Sequence, residues 1–165
     1  MVAFWLTYLA LVAQRLWELQ IAKRHTRALR ARGARESGAS HYPLMVALHV
    51  AWFVSLPLEV LRGGEISHSW PIWAALAIIG QGLRWSTMKT LGERWTTRVL
   101  VLPQEPPVRS GLYGLFAHPN YLGVVLEIFS VPLLFGAWKT ACLFSVVNAA
   151  LLRERIRIEN EALGI

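Results

Sequence analysis

Apolar runs separated by polar segments recur along the whole chain. They occupy residues 2–13 with a weaker continuation to 22, residues 44–61, residues 70–83 with an extension to 91, residues 121–137 and residues 140–152. A membrane-spanning helix needs roughly 20 mostly apolar residues, so four of these runs suffice once flanking residues are included, and the last is short. The pattern predicts an all-α, polytopic integral membrane protein with about five transmembrane helices.

Two longer polar segments lie between the predicted spans. Residues 23–42 are expected to begin as an extension of the first helix and to break at Gly33 and Gly38. Residues 92–115 form the longest segment outside the spans, and the stretch LPQEPPVRSGLYG within it is too rich in Pro and Gly for a regular element. No internal repeat or low-complexity linker is visible, so we predict one membrane-embedded domain over residues 1–165.

The composition agrees with a membrane environment. Hydrophobic residues make up 55% of the chain and charged residues 16%, whereas a soluble domain usually carries about 25% charged residues. The net charge of +7 suggests nucleic-acid binding as one interpretation, and the positions of the basic residues decide against it. Thirteen basic residues follow the first, third and fifth apolar runs: Lys23, Arg24, Arg27, Arg30, Arg32, Arg35, Lys89, Arg94, Arg98, Arg109, Arg153, Arg155 and Arg157.

The segments on the other side of the predicted spans carry only Arg62 and Lys139. An excess of Lys and Arg on one side is the result of the positive-inside rule. The predicted topology therefore has the N-terminus outside and the C-terminus in the cytoplasm. The basic residues then attract anionic lipid headgroups, so membrane lipids are expected partners and nucleic acid is not.

Ionisable residues inside the predicted spans are costly and should face the bundle or a wet cavity. Arg15 and Glu18, three residues apart, share a helix face and form either a structural ion pair or the wall of a polar cavity. Arg84 is expected to extend its long side chain to the membrane surface. The carboxylate of Glu127 needs a partner, or it will be neutral.

The stretch FAHPNYLGVVLE places polar residues where the fourth apolar run begins. Pro119 fits the first turn of a helix, so the fourth span should start near His118, at the cytoplasmic face. The end of the last span, LLRERIRIENEAL, returns to the same face and carries Arg155 and Glu159 on one helix face. This pair should lie close to three polar residues at the start of the fourth span: His118, Asn120 and Tyr121.

The stretches GLYGLFAHPNYLGVVLE and RERIRIENEAL resemble the isoprenylcysteine carboxyl methyltransferases and their bacterial homologues, small integral membrane enzymes that use S-adenosylmethionine. The family pattern is Gly-x-Tyr, then Arg-His-Pro-x-Tyr, then a Glu on the same helix, then an Arg and a Glu four apart after the last span. The resemblance is strongest over residues 84–163, and RGARESGASHYPLMVALH resembles the bacterial branch. It implies a bacterial inner-membrane protein whose active site faces the cytoplasm.

Carried over residue by residue, the resemblance implies a cofactor site formed mainly by residues 92–165. The implied cofactor-binding residues are Val108, Tyr113, His118, Pro119, Asn120, Tyr121 and Glu159. Arg155 would bind the acceptor, Arg155 and Glu159 are the implied catalytic pair, and no metal is implied. The sequence departs from the pattern at Ala117, where the family usually has Arg, which puts one local ion pair or phosphate contact in doubt.

The implied reaction is methyl transfer to an anionic oxygen of a lipophilic acceptor, either an isoprenylcysteine carboxylate or an alkylpyrone-like polyketide. A methyl group on a sulfonium is transferred in one displacement, so the protein supplies alignment and a dry site. A carboxylate with a pKa of about 4 is already ionised, whereas a hydroxyl acceptor could use His118 as a base. Two alternatives stay open: a phospholipid amine methyltransferase, and a non-catalytic membrane transporter or assembly protein.

Overall fold

Five α-helices contain most of the chain in the computed structural model, which describes residues 1–103 and 105–164. They are α1 (Val2–Ala31), α2 (Tyr42–Leu61), α3 (Trp70–Leu91), α4 (Pro119–Leu134) and α5 (Trp138–Leu163). Two strands, β1 (Arg35–Ser37) and β2 (Val99–Val101), and two 3-10 turns, Gly92–Arg94 and Gly111–Gly114, lie between them. The predominantly helical architecture predicted from the sequence is confirmed.

Helix α2 is long and apolar enough to cross a membrane, alone among the helices in the part of the chain that the structure describes. Helix α4 is also apolar but has 16 residues. Charged side chains inside α1 and α3, among them Arg15 and Arg84, lower the apolar content of these two helices. By length and composition, α2 is therefore the helix that qualifies directly as a membrane span in the described part of the chain.

A short antiparallel ribbon joins the end of α1 to the segment after α3, and the sequence did not predict it. Strand β1 pairs with β2 so that Glu36 is opposite Leu100. The Glu36 carboxylate accepts hydrogen bonds from Arg30 and Arg98. Burial opposes ionisation of Glu36, but these two guanidinium groups outweigh it and hold its pKa below the ordinary value. The ribbon thus fixes the start of residues 92–115 against the rest of the protein.

The hydrophobic core lies between α1, α2, α4 and α5. The Trp52 side chain of α2 is 1% exposed, and its indole N–H donates to the Ile128 carbonyl of α4 over 3.3 Å. Phe4 of α1 packs edge-on against Phe135, with ring centroids 5.1 Å apart. Because an aromatic ring removes a large apolar area from water or lipid contact, these contacts hold three helices together.

The end of α2 also caps the start of α5. Glu59 Oε1 accepts a hydrogen bond from the Lys139 backbone N–H at 3.0 Å, and Oε2 accepts one from the Thr140 N–H at 2.7 Å. The first N–H groups of a helix have no partner inside the helix, so this carboxylate satisfies two of them. It thereby links the two helices at the end of the bundle opposite to the candidate site.

A buried network of four charges connects α1, α3 and α4. Arg15 donates to Glu18 and, from Nη2, to Glu127 Oε1 at 2.5 Å. Arg84 Nη2 donates to Glu18 Oε2 at 2.5 Å, and Arg84 Nε lies 3.6 Å from Glu127 Oε2. Two guanidinium groups and two carboxylates therefore neutralise one another, and of the four only Arg15 is partly exposed.

This network settles three expectations from the sequence. The structural ion pair of Arg15 with Glu18 is confirmed, and Glu127 has a partner, the guanidinium group of Arg15. The expectation that Arg84 extends to the membrane surface is wrong, because its side chain is buried and bonded to Glu18. A charge-assisted hydrogen bond to the Glu18 carboxylate stabilises the Arg84 guanidinium more than extension of the side chain to the membrane surface would.

Helices α3 and α4 approach closely at two glycines that face each other. A Cβ atom on Gly123 would lie 2.7 Å from the Arg84 Cγ atom and 2.7 Å from the Gly80 carbonyl oxygen. Small residues at an interface let helix backbones approach in this way. The close approach places Arg84 and Glu127 side by side and positions the start of α4 against the end of α3.

We expect Gly123→Ala to lower the free energy of unfolding by about 1–3 kcal/mol, because the added methyl group forces the two helices apart. Gly82→Ala is the matched control, since no atom lies within 4 Å of a Cβ at that position of α3. The control should be neutral or stabilising by up to about 1 kcal/mol. Thermal unfolding in detergent, followed by circular dichroism, measures both; equal losses would contradict the close approach.

Candidate active site

A cavity of about 470 Å³ opens where α3 and α5 end and α4 begins. Its volume is within the range of about 300–1,000 Å³ that small-molecule sites occupy. Its walls come from the end of α3, residues 94–102, residues 105–109, the turn Gly111–Gly114, the start of α4 and the last turns of α5. Seven of the residues implied for the site line it: Val108, Tyr113, His118, Asn120, Tyr121, Arg155 and Glu159.

The start of α4 presents two aromatic rings to this cavity. Helix α4 begins at Pro119 with His118 as the residue before it, which confirms the predicted start. The His118 and Tyr121 rings stack with centroids 5.3 Å apart and an angle of 19° between their planes. Pro119 itself is fully buried and does not line the cavity, so its part is to start the helix.

The Tyr121 hydroxyl bridges two charged residues of α5, Arg155 and Glu159. It donates a hydrogen bond to Glu159 Oε2 and accepts one from Arg155 Nε at 2.9 Å. His118 completes the cluster, with Nε2 3.0 Å from Asn160 Oδ1 and Nδ1 3.8 Å from Glu159 Oε2. The structure therefore brings together the two polar groups that the sequence predicted to meet.

Arg155 is the buried positive charge of the cavity, and no carboxylate pairs with it in the part of the chain that the structure describes. Its Nη2 donates to the Thr97 carbonyl at 2.9 Å, the residue is buried, and it forms no ion pair within residues 1–103 and 105–164. Three other arginines line the cavity: Arg94 is paired with Glu105, Arg98 is paired with Glu36, and Arg109 is exposed.

Two unpartnered polar atoms in the cavity wall fit a polar ligand. Asn120 Oδ1 and Thr87 Oγ1 are buried, and neither has a hydrogen-bond partner among the residues that the structure describes. Burial raises the pKa of the Tyr113 hydroxyl and the nearby Glu159 carboxylate adds to this effect, so the phenol stays neutral. The site thus offers an amide oxygen that accepts hydrogen bonds, two hydroxyl groups and a carboxylate. Together these groups can hold a cofactor with amine, carboxylate and hydroxyl groups.

The sequence alone missed two residues that shape this site. Thr87, on α3, and Thr97, in the segment before β2, contribute a hydroxyl to the wall and a carbonyl to Arg155. Neither stands in a motif with α4 or α5, so no spacing in the sequence signals them. Ala117, where the family usually has Arg, is exposed and lines the cavity.

The model of the isoprenylcysteine carboxyl methyltransferase (ICMT) family matches residues 73–165. This match covers more than half of the chain, including Thr87, residues 92–115 and the cluster of α4 and α5. The chain belongs to the isoprenylcysteine carboxyl methyltransferase family. Membership indicates a membrane methyltransferase of the isoprenylcysteine carboxyl methyltransferase type, and members of this family generally use S-adenosylmethionine.

Two bacterial proteins are similar to this family member over nearly its whole length. The chain is 41% identical over 161 residues to the uncharacterized protein YpbQ of Bacillus subtilis, covering 97% of this chain and 96% of that protein. It is 28% identical over 161 residues to an uncharacterized protein of Haemophilus influenzae, covering 96% of this chain and 94% of that protein. The similarity therefore extends to α1 and α2, which precede the part that the family model matches.

Proposed function

We propose that the protein is an S-adenosylmethionine-dependent O-methyltransferase that acts on an anionic oxygen of a lipophilic acceptor. The single observation that carries this proposal is Arg155, a buried cation without a carboxylate partner in the described residues, at the wall of the cavity. A buried charge without a counterion is costly, so its presence there favours an anionic ligand. A carboxylate or an enolate oxygen of the acceptor supplies that charge.

The neighbouring residues support a division of roles within the cavity. The cofactor carries the reactive methyl group on a sulfonium, so the protein needs no strong base for an acceptor that is already ionised. Glu159 provides a negative charge for the positive groups of the cofactor, and Asn120 and Tyr113 provide hydrogen bonds. Arg155 orients the anionic oxygen, which reduces the search for a productive geometry. His118 acts through hydrogen bonds, and as a base where the acceptor is a hydroxyl group.

The surface of the helices supports a membrane location for this chemistry. Large apolar side chains are exposed on every helix, for example Leu6 of α1, Val54 of α2, Ile78 of α3, Leu122 of α4 and Val146 of α5. Exposed apolar area on this scale needs a lipid or protein environment. We propose that all five helices lie in the membrane, with the cavity at the cytoplasmic face, so that the acceptor enters from the bilayer.

The arginine also separates this function from its nearest alternative. A phospholipid amine is protonated near neutral pH, and Arg155 would repel it. An acceptor with a carboxylate or an acidic enol is attracted instead. Incubation with labelled S-adenosylmethionine and a lipid extract of the source membrane, followed by mass identification of the labelled product, identifies the acceptor.

We expect the detergent-solubilised protein to bind S-adenosylmethionine and Glu159→Gln to weaken this binding by about tenfold or more, since one charge-assisted contact is lost. Glu161→Gln is the matched control, because Glu161 lies on the same helix and is exposed in an ion pair with Arg157. Isothermal titration calorimetry measures both affinities. A folded parent protein that binds no S-adenosylmethionine would overturn the proposed function.

A further inference from the structure

A second cavity, of about 520 Å³, lies between α1 and α3 outside the candidate active site. We call it the α1–α3 groove and define it by five of its lining residues: Trp17, Arg24, Trp85, Lys89 and Trp95. Trp95 also lines the first cavity, so it forms a wall between the two. The methyltransferase chemistry uses none of the other four residues.

One end of the groove is positively charged. Arg24 and Lys89 line it, both are exposed, and neither forms an ion pair with a residue in the two ranges that the structure covers. The groove also contains Glu93, but this carboxylate is 78% exposed and lies 3.9 Å from Arg32. The two cations are therefore available to an anionic group, and a phosphate suits both a guanidinium and an ammonium partner.

The other end of the groove is aromatic. Trp17 and Trp85 are about half exposed, and their ring centroids are 6.3 Å apart. Trp17 precedes Arg24 by seven residues on α1, about 10 Å along the helix axis, and Trp85 precedes Lys89 by one turn. Trp is enriched where a membrane passes from headgroups to acyl chains. The groove thus changes from charged to apolar over the distance that separates a lipid phosphate from its chains.

We propose that the α1–α3 groove binds an anionic phospholipid, with the phosphate between Arg24 and Lys89 and the acyl chains along Trp17 and Trp85. Charge complementarity selects an anionic lipid over a zwitterionic one, because the choline group of phosphatidylcholine would add a cation beside two others. The aromatic end selects a membrane lipid over a free phosphate ester, which has no apolar part to place there.

The bound lipid also supports the wall of the candidate active site. Trp95 is 4% exposed, and its carbonyl is 2.8 Å from His25 Nδ1 of α1, which ties the residue to the same helix as Arg24. A lipid that fills the groove restricts Trp95 and the turn Gly92–Arg94 before it. An anionic lipid should therefore raise the affinity of the first cavity for its cofactor, a consequence that rests on the proposed function.

Lipid retention in native mass spectrometry tests the site independently of any cofactor. The full chain is released from nanodiscs of phosphatidylcholine mixed with phosphatidylglycerol, and the co-released lipid is counted. The groove variant is Arg24→Gln with Lys89→Gln, and the control is Lys23→Gln with Arg27→Gln, which removes the same charge from α1 outside the groove. We expect the parent and the control to retain phosphatidylglycerol preferentially, and the groove variant to lose this preference by on the order of tenfold.

Each other outcome overturns the proposal. No preference for phosphatidylglycerol in the parent means that the groove selects no anionic lipid and that Lys89 only complements the end of α3. An equal loss of preference in the control means that the basic face attracts anionic lipids diffusely. Displacement of the lipid by soluble glycerol phosphate at equal concentration means that the site takes a free phosphate ester. Hydrogen exchange of residues 92–98 tests the wall: phosphatidylglycerol should slow it in the parent and the control but not in the groove variant.

Discussion

Arg155→Ala is expected to lower the rate of methyl transfer by about 100-fold to 1,000-fold, the effect of removing one group that stabilises an anionic centre. The affinity for S-adenosylmethionine should change by about threefold or less, because Glu159, Asn120 and Tyr113 remain in place. The physical reason is that Arg155 has no carboxylate partner in the described chain, so in the proposed function its charge is directed at the acceptor. Transfer of labelled methyl groups into a lipid extract gives the rate, and calorimetry gives the affinity.

Two further variants make this result specific. Arg153→Ala removes the same charge from an exposed position two residues earlier on α5 and should leave both quantities unchanged. Arg155→Lys keeps the charge but loses the Nε hydrogen bond to Tyr121, so it should retain part of the activity. Equal losses of cofactor affinity and transfer rate in Arg155→Ala would instead assign this arginine to the cofactor.

Glu127→Ala is expected to lower the free energy of unfolding by about 3–5 kcal/mol, the range for removing one partner of a buried ion pair. The variant leaves Arg15 and Arg84 with only Glu18 between them, so one positive charge stays buried without compensation. The loss should exceed that of Gly123→Ala, which changes only the packing of α3 against α4. Thermal unfolding in detergent provides the comparison.

The double variant Arg15→Met with Glu127→Leu separates charge from packing. It removes one cation and one anion and leaves the pair of Arg84 with Glu18 intact. Replacing both members of a buried pair by apolar residues of similar size is often neutral, so the double variant should be more stable than Glu127→Ala. If the double variant is as unstable as Glu127→Ala, the four-charge network stabilises the protein through side-chain packing rather than through charge balance.

The two polar clusters of this protein differ in a way that bears on function. In the network of α1, α3 and α4, each carboxylate meets a guanidinium directly, and the charges cancel. In the cavity, the Tyr121 hydroxyl stands between Arg155 and Glu159, so these two side chains form no direct ion pair. A neutralised cluster stabilises the bundle, whereas separated charges remain available to ligands of opposite sign.

Much of the candidate site was predictable because its residues carry local signals. Pro119 marks the start of α4, and the four-residue spacing of Arg155 and Glu159 places both on one face of α5. Arg157 shows the limit of such signals. Like Arg155, it has a Glu four residues later in the sequence, but it is exposed and pairs with Glu154 and Glu161 away from the cavity.

The sequence by itself determined the helices, the start of α4 and the end of the bundle where the polar residues gather, because apolar periodicity and helix signals act over a few neighbouring residues. Only the tertiary structure decided which charges meet. Arg15 and Glu127 are 112 residues apart, and Arg84 lies inward because α3 and α4 approach at Gly80 and Gly123. Helical spacing in the sequence shows which side chains share a face of one helix, but the packing of the helices decides which neighbouring helix that face contacts.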